Sequence, residues 1–486
     1  MSSTTSQTFD VIVIGAGPVG ENVADRAVAG GLSAVIVESE LVGGECSYWA
    51  CEPSKALLRP GLLHRELGAV PGLAKAASAP LDVDAVLAHR DRMSGNWDDA
   101  GQVEWLRQAG IELVRGVGRL AGPRAVTVAT PDGQTVHLTA RHAVAVCTGT
   151  RASLPPLPGL EELRPWTSRE ATSAPRVPRR LAVLGAGVVA VETATAWRTL
   201  GSRVTLIARE AMLLPRAEPF AAESVADRMR ETGIDLRFGT TISAAVRNAA
   251  GEVEIELSDG TRLVADELLL ATGRAPRTED LGLESVGLTP GGWLRTDDLF
   301  TVTGVEGEWL YAVGDVNGRA LLTHQGKYQA RVAGTVIVDR ARGRRLDLRK
   351  WSRHVGTADL EAVPQVVFSD PEIASVGLTT AEAERAGRVV DVVDYEIGRV
   401  AGALQYRPDY RGRARILIDP RRGTVVGATF VGPNVAELLY SATVAITGEV
   451  PLDRLWHAVP AFPTISEVWL RLLETYRDAS LELPRS

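Results

Sequence analysis

The stretch DVIVIGAGPVG, residues 10–20, decides the fold. A β-branched apolar run breaks into glycines, a helical pattern follows, and a second apolar run, AVIVE, ends at Glu38. Strand, tight turn, helix and strand in this order predict one βαβ unit. The same pattern returns at residues 181–209, so we expect two such units that arose by internal duplication.

The glycines of the first unit match the spacing G-x-G-x-x-G. Gly15 allows the tight turn, Gly17 lets backbone N–H groups approach a pyrophosphate, and Gly20 permits close packing of helix on strand. The anion then lies at a helix N-terminus, and the carboxylate of Glu38 is placed to bind a ribose hydroxyl. One such match is weak evidence, but two in one chain favour two dinucleotide sites.

The second fingerprint contains Gly185 and Gly187, and its second strand ends at Ala208 and Arg209 without an acid. An arginine at that place can pair with a 2′-phosphate, so the sequence favours NADPH over NADH. Arg216 can add a second positive contact. The alternative, that Arg209 is an ordinary surface charge, stays open.

Each βαβ unit is followed by a β-rich segment with Asp-Gly turn signals, and then by an apolar strand that ends in Thr-Gly, at Thr148-Gly149 and Thr272-Gly273. The proline-rich LPPLPG, residues 154–159, predicts a boundary. Beyond about residue 346 there is no glycine fingerprint, and strand-like runs precede two helical patterns. We predict an α/β fold with two Rossmann-like dinucleotide-binding domains and a C-terminal α+β domain.

Composition excludes several classes of protein. The 486 residues are 45% hydrophobic and 23% charged, as in globular proteins, and the net charge of −7 gives no basic surplus for nucleic acid or anionic membranes. Three cysteines cannot form a secretory disulfide framework, so any bridge is expected to be catalytic or redox-sensing. The N-terminal sequence lacks a signal-peptide pattern and no apolar run approaches a membrane span, so we expect a cytoplasmic protein.

Two of the three cysteines, Cys46 and Cys51, lie in the stretch GGECSYWACEPSK, residues 43–55. The segment after Cys51 starts a helix with a proline in its first turn, and the positive helix end favours a thiolate there. The glycines and the proline on either side predict that the pair lies in a loop. Cys147 is interpreted as a small core residue on a buried strand.

The motifs GAGPVG, GGECSYWACEPSK, CTGT, GAGVVAVE, ATGR, YAVGD and FPTISE, in this order, resemble those of the FAD-dependent pyridine nucleotide–disulfide oxidoreductases, the group of dihydrolipoamide dehydrogenase, glutathione reductase and mercuric reductase. The resemblance implies FAD, a pyridine nucleotide and a homodimer formed by the C-terminal domain. The implied domains are residues 1–152 with 275–345 for FAD, 153–274 for NAD(P), and 346–486 for dimerisation.

The resemblance also implies roles for single residues. Cys46 is expected to be the interchange thiol exposed to the acceptor, and Cys51 the thiol against the flavin. Lys55 and Glu192 match a family ion pair near the flavin N5 atom. The expected catalytic residues are Cys46, Cys51, Lys55, Glu192 and Glu467. The expected cofactor-binding residues are Gly15, Gly17, Gly20, Glu38, Gly44, Lys55, Thr148, Gly149, Gly185, Gly187, Glu192, Arg209, Gly273, Arg274, Gly314 and Asp315.

One position departs from the family pattern. Family members carry an acid/base histidine before Pro-Thr and a glutamate five residues after it, whereas here Phe462 replaces the histidine and Glu467 keeps the carboxylate. A phenyl ring transfers no proton, so thiol–disulfide exchange is expected to lose general acid–base catalysis, which typically raises the rate about 10²–10⁴-fold. His457 is out of register. Glu52 is the other candidate, although the dipole alone favours a glutamate in the first turn of a helix.

Two bulky residues, Tyr48 and Trp49, replace the smaller residues that are usual between the cysteines. They either pack the loop or form an aromatic wall for a flat acceptor. Mercuric reductase is disfavoured because its second cysteine pair is absent near the end of this sequence. Soluble transhydrogenase is disfavoured because its pattern lacks the full cysteine pair.

The sequence thus predicts an FAD-dependent NAD(P)H oxidoreductase, similar to dihydrolipoamide dehydrogenase, that passes hydride through FAD to a Cys46–Cys51 disulfide. The acceptor is expected to be a small molecule, either a disulfide or another electrophile that needs little proton help. Two alternatives stay open: a diaphorase that reduces quinones, metal ions or oxygen directly from FAD, and a redox-sensing flavoprotein that acts through a binding partner. We expect no bound metal, nucleic acid or membrane.

Overall fold

The computed structural model describes residues 5–482, and contacts along the chain divide it into two units. The first unit comprises residues 1–53, 91–153 and 274–360, and the second comprises residues 54–90, 154–273 and 361–486. One of the divisions falls between Ser153 and Leu154, where the proline-rich stretch begins. The three domain ranges inferred from the sequence stay predictions.

The elements are given in chain order. The strands are β1 Thr5–Ile14, β2 Ala34–Glu38, β3 Glu112–Arg115, β4 Val117–Leu120, β5 Ala125–Ala129, β6 Thr135–Val146, β7 Thr150–Ala152, β8 Arg180–Leu184, β9 Arg203–Ala208, β10 Asp235–Phe238, β11 Ile242–Arg247, β12 Val253–Leu257, β13 Arg262–Ala265, β14 Glu267–Leu270, β15 Arg274–Pro276, β16 Leu310–Ala312, β17 Gln365–Val367, β18 Glu372–Gly377, β19 Asp391–Glu396, β20 Arg413–Asp419 and β21 Thr424–Gly432. The helices are α1 Pro18–Ala29, α2 Gly44–Tyr48, α3 Cys51–Ala69, α4 Val83–Met93, α5 Ala100–Gln108, α6 Leu160–Leu163, α7 Ser168–Ser173, α8 Val188–Thr199, α9 Pro219–Glu231, α10 Thr323–Ala341, α11 Ala358–Glu361, α12 Thr380–Arg385, α13 Ala401–Tyr406, α14 Leu439–Thr447, α15 Leu452–Leu455 and α16 Val468–Glu482.

The first unit is built on a sheet with the strand order β3-β2-β1-β6-β5-β4, in which β16 also pairs with β6. The strands β3, β2, β1, β6 and β16 are parallel, whereas β5 and β4 continue the sheet as antiparallel strands. Alternate residues of β1 enter different cores: Val11 and Val13 pack with the alanines of α1 and α10, and Ile12 packs with the opposite cluster. Such burial on both faces explains the continuous apolar run of β1.

The helices α1 and α10 approach each other closely. A Cβ atom on Gly334 of α10 would lie 2.5 Å from Cβ of Arg26 on α1, so a larger side chain could not be accommodated without a shift. A Cβ atom on Gly30 would similarly lie 2.3 Å from a methyl group of Val338. The glycines therefore hold α10, which begins at Thr323, against the first βαβ unit.

The second unit contains the repeated βαβ pattern. Its parallel sheet has the order β10-β9-β8-β14, and an antiparallel sheet of β11, β12 and β13 follows with the predicted Asp259-Gly260 turn between its last two strands. Trp197 of α8 is fully buried and packs on Trp166, with 5.8 Å between the ring centroids. This packing anchors α8 to the sheet.

The C-terminal part of the second unit is an antiparallel sheet with the order β17-β18-β21-β20-β19. All nine residues of β21 are buried, which requires cover on both faces of this central strand. Helix α14 packs on β21 and β18, and α16 packs on β19 and β20. The predicted fold class, two Rossmann-like domains and a C-terminal α+β domain, is confirmed.

The predicted loop around the cysteines was wrong in one respect. Cys46 lies on the short helix α2, and Cys51 is the first residue of α3. The cause is local, because Gly43 and Gly44 both have positive φ, of 115° and 59°, and so turn the chain directly into α2.

Candidate active site

The first glycine loop has the geometry of a dinucleotide cradle. Gly15 has φ of +103°, and a Cβ there would lie 2.5 Å from the carbonyl oxygen of Cys147. A Cβ on Gly20 would lie 1.9 Å from the carbonyl oxygen of Gly15, so both positions require glycine. Gly17 is the N-cap of α1, and no described atom would lie within 4 Å of a Cβ there, so the loop is open at the positive end of the helix.

The carboxylate of Glu38 closes this loop. One oxygen accepts a hydrogen bond from the backbone N–H of Ala16 at 2.7 Å, and the other accepts one from the N–H of Glu40, also at 2.7 Å. These bonds hold the carboxylate beside the glycines at the end of β2. The position is the one predicted for a group that binds a ribose hydroxyl.

The second glycine loop repeats the arrangement. Gly185 has φ of +139°, and a Cβ there would lie 2.3 Å from the carbonyl oxygen of Ala271. Gly187 is the N-cap of α8 and has open space, as at the first loop, within the described residues. Arg209 follows β9 with its side chain 85% exposed, and its guanidinium lies 3.1 Å from the carboxylate of Glu210.

The two thiols lie against the first glycine loop. A Cβ on Gly44 would lie 2.8 Å from the Cα atom of Gly17, so the turn into α2 touches the loop itself. Cys46 and Cys51 are partly buried, and neither is joined in a disulfide in the described chain. Their side chains are hydrogen bonded to each other. Cys147 is buried at the end of β6, where burial raises its pKa, so it behaves as the predicted core residue.

A threonine that sequence reasoning missed contacts both thiols. Thr323, the first residue of α10, donates from Oγ1 to Sγ of Cys46 at 3.2 Å, and the same oxygen lies 3.2 Å from Sγ of Cys51. The pKa of Cys46 is raised, first by its hydrogen bond to Cys51 and then by burial, and the bond from Thr323 opposes this shift. The hydrogen bond from Thr323 therefore favours the thiolate form of Cys46.

The network beneath Asp315 also contains residues that were not predicted. The partly buried carboxylate of Asp315 accepts a hydrogen bond from Thr150 Oγ1 at 3.0 Å, and desolvation raises its pKa. Arg274 donates to the same hydroxyl at 2.5 Å and to Glu45 of α2 at 3.1 Å. Arg277 donates to the other oxygen of Glu45 at 3.1 Å, so two arginines connect α2 to this network.

Three other predicted glycines have the positive φ angles that glycine adopts more easily than other residues. Gly149 and Gly314 have φ of +66° and +82°, and Gly273 has φ of +128°. The backbone N–H of Gly314 donates to the buried Gln329 at 2.7 Å, which fixes the turn before Asp315. Thr148 donates to the carbonyl oxygen of Arg277 at 2.9 Å, so this hydroxyl holds the loop together.

Lys55 and Glu192 form the predicted ion pair within the second unit, with 2.8 Å between Nζ and Oε2. Glu192 is 5% exposed, and its other oxygen accepts the backbone N–H of Phe368 at 3.0 Å. The ammonium of Lys55 also lies 4.9 Å from the centroid of the Phe368 ring. Lys55 follows Cys51 by one turn of α3.

Phe462 and Glu467 both belong to the second unit but have different environments. The side chain of Phe462 is 75% exposed, whereas Glu467 is buried. One oxygen of Glu467 accepts a hydrogen bond from Arg471 at 2.5 Å, one turn along α16, and the other has no hydrogen-bond partner within residues 5–482. His457 is exposed, and no hydrogen bond or ion pair among the described residues joins it to Glu467.

Tyr48, one of the two bulky residues between the cysteines, packs the segment. Tyr48 is 1% exposed, and its hydroxyl donates to the carbonyl oxygen of Val42 at 2.8 Å. Trp97 donates to the carbonyl oxygen of Tyr48 at 3.2 Å, and the ring of Trp49 lies 5.5 Å from that of Tyr48. Tyr48 therefore packs the segment.

Glu52 is exposed in the first turn of α3, where the helix dipole favours a carboxylate.

Two glycine cradles, a close pair of thiols and a C-terminal α+β sheet define a two-nucleotide redox enzyme with a dithiol. The sequence pattern of the pyridine nucleotide-disulphide oxidoreductases matches residues 9–333, and that of their dimerisation domain matches residues 363–472. The chain belongs to the pyridine nucleotide-disulphide oxidoreductase family. The resemblance inferred from the motif order is confirmed.

Curated relatives and a solved structure are similar to the chain over most of its length. Dihydrolipoyl dehydrogenase 3 of Pseudomonas aeruginosa is 32% identical over 95% of this chain and 96% of its own. A mercuric reductase of Shigella flexneri is 32% identical over 96% of this chain and 80% of its own. The solved structure of LpdA from Mycobacterium tuberculosis has a TM-score of 0.81 at 23% identity, covering 97% of this chain and 99% of that one, and shows the fold alone.

The family establishes the general chemistry. The protein is a flavin-dependent oxidoreductase that binds FAD and a pyridine nucleotide, uses NAD(P)H to reduce a redox-active disulfide, and forms a homodimer through its dimerisation domain. The first unit fits FAD, because it offers an open helix N-terminus at Gly17 and a fixed carboxylate at Glu38. From Thr5 to Glu482, no helix has both the length and the apolar character that crossing a bilayer requires.

Proposed function

We propose that Cys46 and Cys51 are the redox-active pair, and that Cys46 delivers electrons to a small disulfide or another electrophile that needs little proton help. The observation that carries this proposal is the contact of the two thiols with each other and with Thr323, next to the first glycine loop. When bound, FAD accepts a hydride from the reduced nicotinamide and supplies two electrons to the disulfide.

The residues around the thiols support a division of roles. Cys51 begins α3 and contacts the first residue of α10, so two helix N-termini favour negative charge on its sulfur. Cys46, on the short helix α2, accepts a hydrogen bond from the Thr323 hydroxyl, which favours its thiolate, the form that attacks an acceptor. We assign Cys51 as the flavin-side thiol and Cys46 as the interchange thiol.

We also propose roles for the charged residues that line the cofactor sites. Glu38 holds the ribose of FAD and Asp315 holds its sugar-alcohol chain. Lys55 and Glu192 form an ion pair near the flavin N5 atom, where the hydride arrives. NADPH is the preferred reductant, because the exposed guanidinium of Arg209 lies at the end of β9 where a 2′-phosphate would bind. We keep the three predicted domain ranges as part of this proposal.

The acceptor is restricted by Phe462. A phenyl ring provides no proton, and Glu467 is already paired with Arg471, so this segment no longer combines an acid/base with its orienting carboxylate. Acceptors whose leaving group is stable without a proton fit this arrangement best. The same observation favours a second candidate, a diaphorase that reduces a quinone, a metal ion or oxygen directly from FAD.

An anaerobic titration with NADPH separates the two candidates. If the thiol pair is active, about two equivalents will be consumed, and a long-wavelength absorption band from a thiolate beside the flavin will appear midway. In the Cys46→Ser variant turnover of the acceptor should be lost, whereas Cys147→Ala, which removes the buried thiol, should turn over normally. Consumption of one equivalent without the band, together with normal turnover by Cys46→Ser, would establish the diaphorase instead.

A further inference from the structure

A cavity of the first unit has no role in the chemistry proposed so far. Its volume is about 400 Å³, which is within the range of small-molecule sites. It is lined by Glu21 and Asn22 of α1, Gly101, Gln102 and Trp105 of α5, and Lys327 of α10. We call it the Glu21–Lys327 cavity. Its walls combine one acidic, one basic and one aromatic side chain with two amides.

The two charged residues of this cavity are not paired with each other. One carboxylate oxygen of Glu21 is shielded from solvent and has no hydrogen-bond partner among residues 5–482, and within the same range no carboxylate forms an ion pair with Lys327. Desolvation raises the pKa of Glu21 to about 7; the positive charge of Lys327 opposes this shift and the negative charge of Glu38 adds to it. Opposite charges that line one cavity without pairing fit a ligand that carries both charges.

The cavity lies close to the two thiols. Lys327 follows Thr323 by four residues on α10, so it lies about 6 Å further along the helix axis and on the same face. The hydroxyl of Thr323 lies 3.2 Å from Sγ of both cysteines. Desolvation, with a contribution from the charge of Glu21, raises the pKa of the Tyr48 phenol to about 12, so Glu21 also lies near the segment between the cysteines. A ligand bound by Lys327 is thus one helical turn from the residue that contacts the thiols.

An ammonium group on the acceptor would meet the need that Phe462 creates. Without an acid at position 462, the leaving sulfur of a disulfide must depart as a thiolate. A positive charge close to a sulfur lowers the pKa of its thiol, and a thiol of lower pKa leaves faster. An ammonium group on the second carbon from the sulfur is close enough to have this effect, and Glu21 provides the carboxylate that would recognise it.

We propose that the Glu21–Lys327 cavity selects, as the acceptor, a disulfide whose halves each carry a carboxylate and an ammonium group on the second carbon from the sulfur. Glu21 binds the ammonium group and Lys327 binds the carboxylate. The ring of Trp105, which is 40% exposed, covers the carbons of the acceptor. This substrate class rests on the proposed function of the cysteine pair.

The reaction with such an acceptor is a balanced exchange. The thiolate of Cys46 attacks one sulfur, the S–S bond of the acceptor breaks, and one half leaves as a thiolate beside its own ammonium group. Cys51 then displaces the second half and closes the Cys46–Cys51 disulfide. The dithiol gives two electrons, its two protons pass through solvent to the leaving sulfurs, and the acceptor becomes two thiols. The NAD(P)H-dependent activity of the family returns the pair to the dithiol.

Four small disulfides separate the contributions of the two charges. L-cystine carries both charges, cystamine only ammonium groups, 3,3′-dithiodipropionate only carboxylates, and 2-hydroxyethyl disulfide neither. Steady-state kcat/KM is measured for the holoenzyme with NADPH at pH 7.5. L-cystine should exceed 2-hydroxyethyl disulfide by about a hundredfold, with the other two between them, since one charged contact changes kcat/KM about tenfold. Equal kcat/KM for the four compounds would overturn the proposal.

Variants are compared by the ratio of kcat/KM for cystamine to kcat/KM for 3,3′-dithiodipropionate, which a general loss of structure does not change. Glu21→Gln should lower this ratio about tenfold, and Lys327→Met should raise it about tenfold. The control is Glu104→Gln, which removes a carboxylate of α5 that pairs with Arg107 and does not line the cavity, and it should keep the wild-type ratio. The same ratio in wild type, Glu21→Gln and Lys327→Met would refute the assignment. Flavin content and melting temperature are measured throughout, and Glu21→Ala and Lys327→Ala replace any variant that does not fold.

A binding measurement separates this inference from the proposed function. L-cystathionine is a thioether that carries the same charged groups but cannot be reduced, and its Kd for the oxidised holoenzyme is measured by calorimetry. Glu21→Gln and Lys327→Met should each raise this Kd about tenfold. Normal disulfide turnover by Cys46→Ser would refute the proposed function and leave this binding result standing. Equal Kd values in wild type and both variants would refute the role of the cavity and leave the cysteine chemistry standing.

Discussion

Introducing an acid/base at position 462 is the most direct perturbation of the proposed site. In Phe462→His, an imidazole would occupy the position that is 75% exposed in the structure, five residues before Glu467. The carboxylate that should orient the imidazole is already engaged, because Arg471 donates to it at 2.5 Å. We therefore expect the single substitution to raise the rate with a disulfide acceptor only slightly, by less than about tenfold.

Releasing Glu467 should give the larger effect. In Phe462→His with Arg471→Gln, the buried carboxylate can accept from the imidazole, and general acid–base catalysis is typically worth about 10²–10⁴-fold. We expect an increase of about a hundredfold over wild type in kcat/KM, since the two groups have not been optimised together. Removing Arg471 alone should cost about 1–2 kcal/mol of stability, because Glu467 loses one charged hydrogen bond but Arg471 itself is partly exposed.

The assay follows reduction of an aromatic disulfide whose released thiol is coloured, between pH 5 and 9. The double variant should show a new dependence near pH 6.5, the ordinary pKa of histidine, that wild type lacks. Arg471→Gln alone should leave the rate unchanged. A rise of the same size in Arg471→Gln alone, or no rise in the double variant, would refute the assignment of position 462 as an acid/base position.

Three further outcomes follow from the charged residues. Arg209→Gln should raise KM for NADPH about tenfold and leave KM for NADH unchanged in steady-state assays, because only the 2′-phosphate needs the guanidinium; equal effects on both would contradict this role. Glu192→Gln should lower the unfolding free energy by about 1–2 kcal/mol in urea, since its partner Lys55 is partly exposed, and a neutral result would show that the pair is not structural. Asp315→Asn should raise the melting temperature of FAD-free protein at pH 7 by a few degrees, while FAD retention falls. Because desolvation raises the pKa of Asp315, the contribution of this carboxyl to stability is full at low pH and is lost as the pH rises through the folded pKa. Asparagine does not ionise, so this loss of stability does not occur in the variant.

The repeated βαβ units and their loops were predictable because their chemistry constrains the residue type at each place. Gly15 and Gly185 must have positive φ and approach a carbonyl oxygen at less than 3 Å, which only glycine allows. The Lys55–Glu192 pair was predictable only through the family resemblance, since its members are 137 residues apart. Helix α2 was missed because five residues are too few to show a helical period.

The contacts of Thr323 had no signal in the sequence. A threonine that begins a helix normally suggests a cap, and nothing in local patterning indicates that its hydroxyl meets thiols more than 270 residues away. Arg471 differs, because its spacing of four residues from Glu467 in a helical pattern does indicate an ion pair. The sequence therefore held the reason why Glu467 can be buried: a buried carboxylate needs a donor, and the Arg471 guanidinium, which does not release its proton near neutral pH, supplies one.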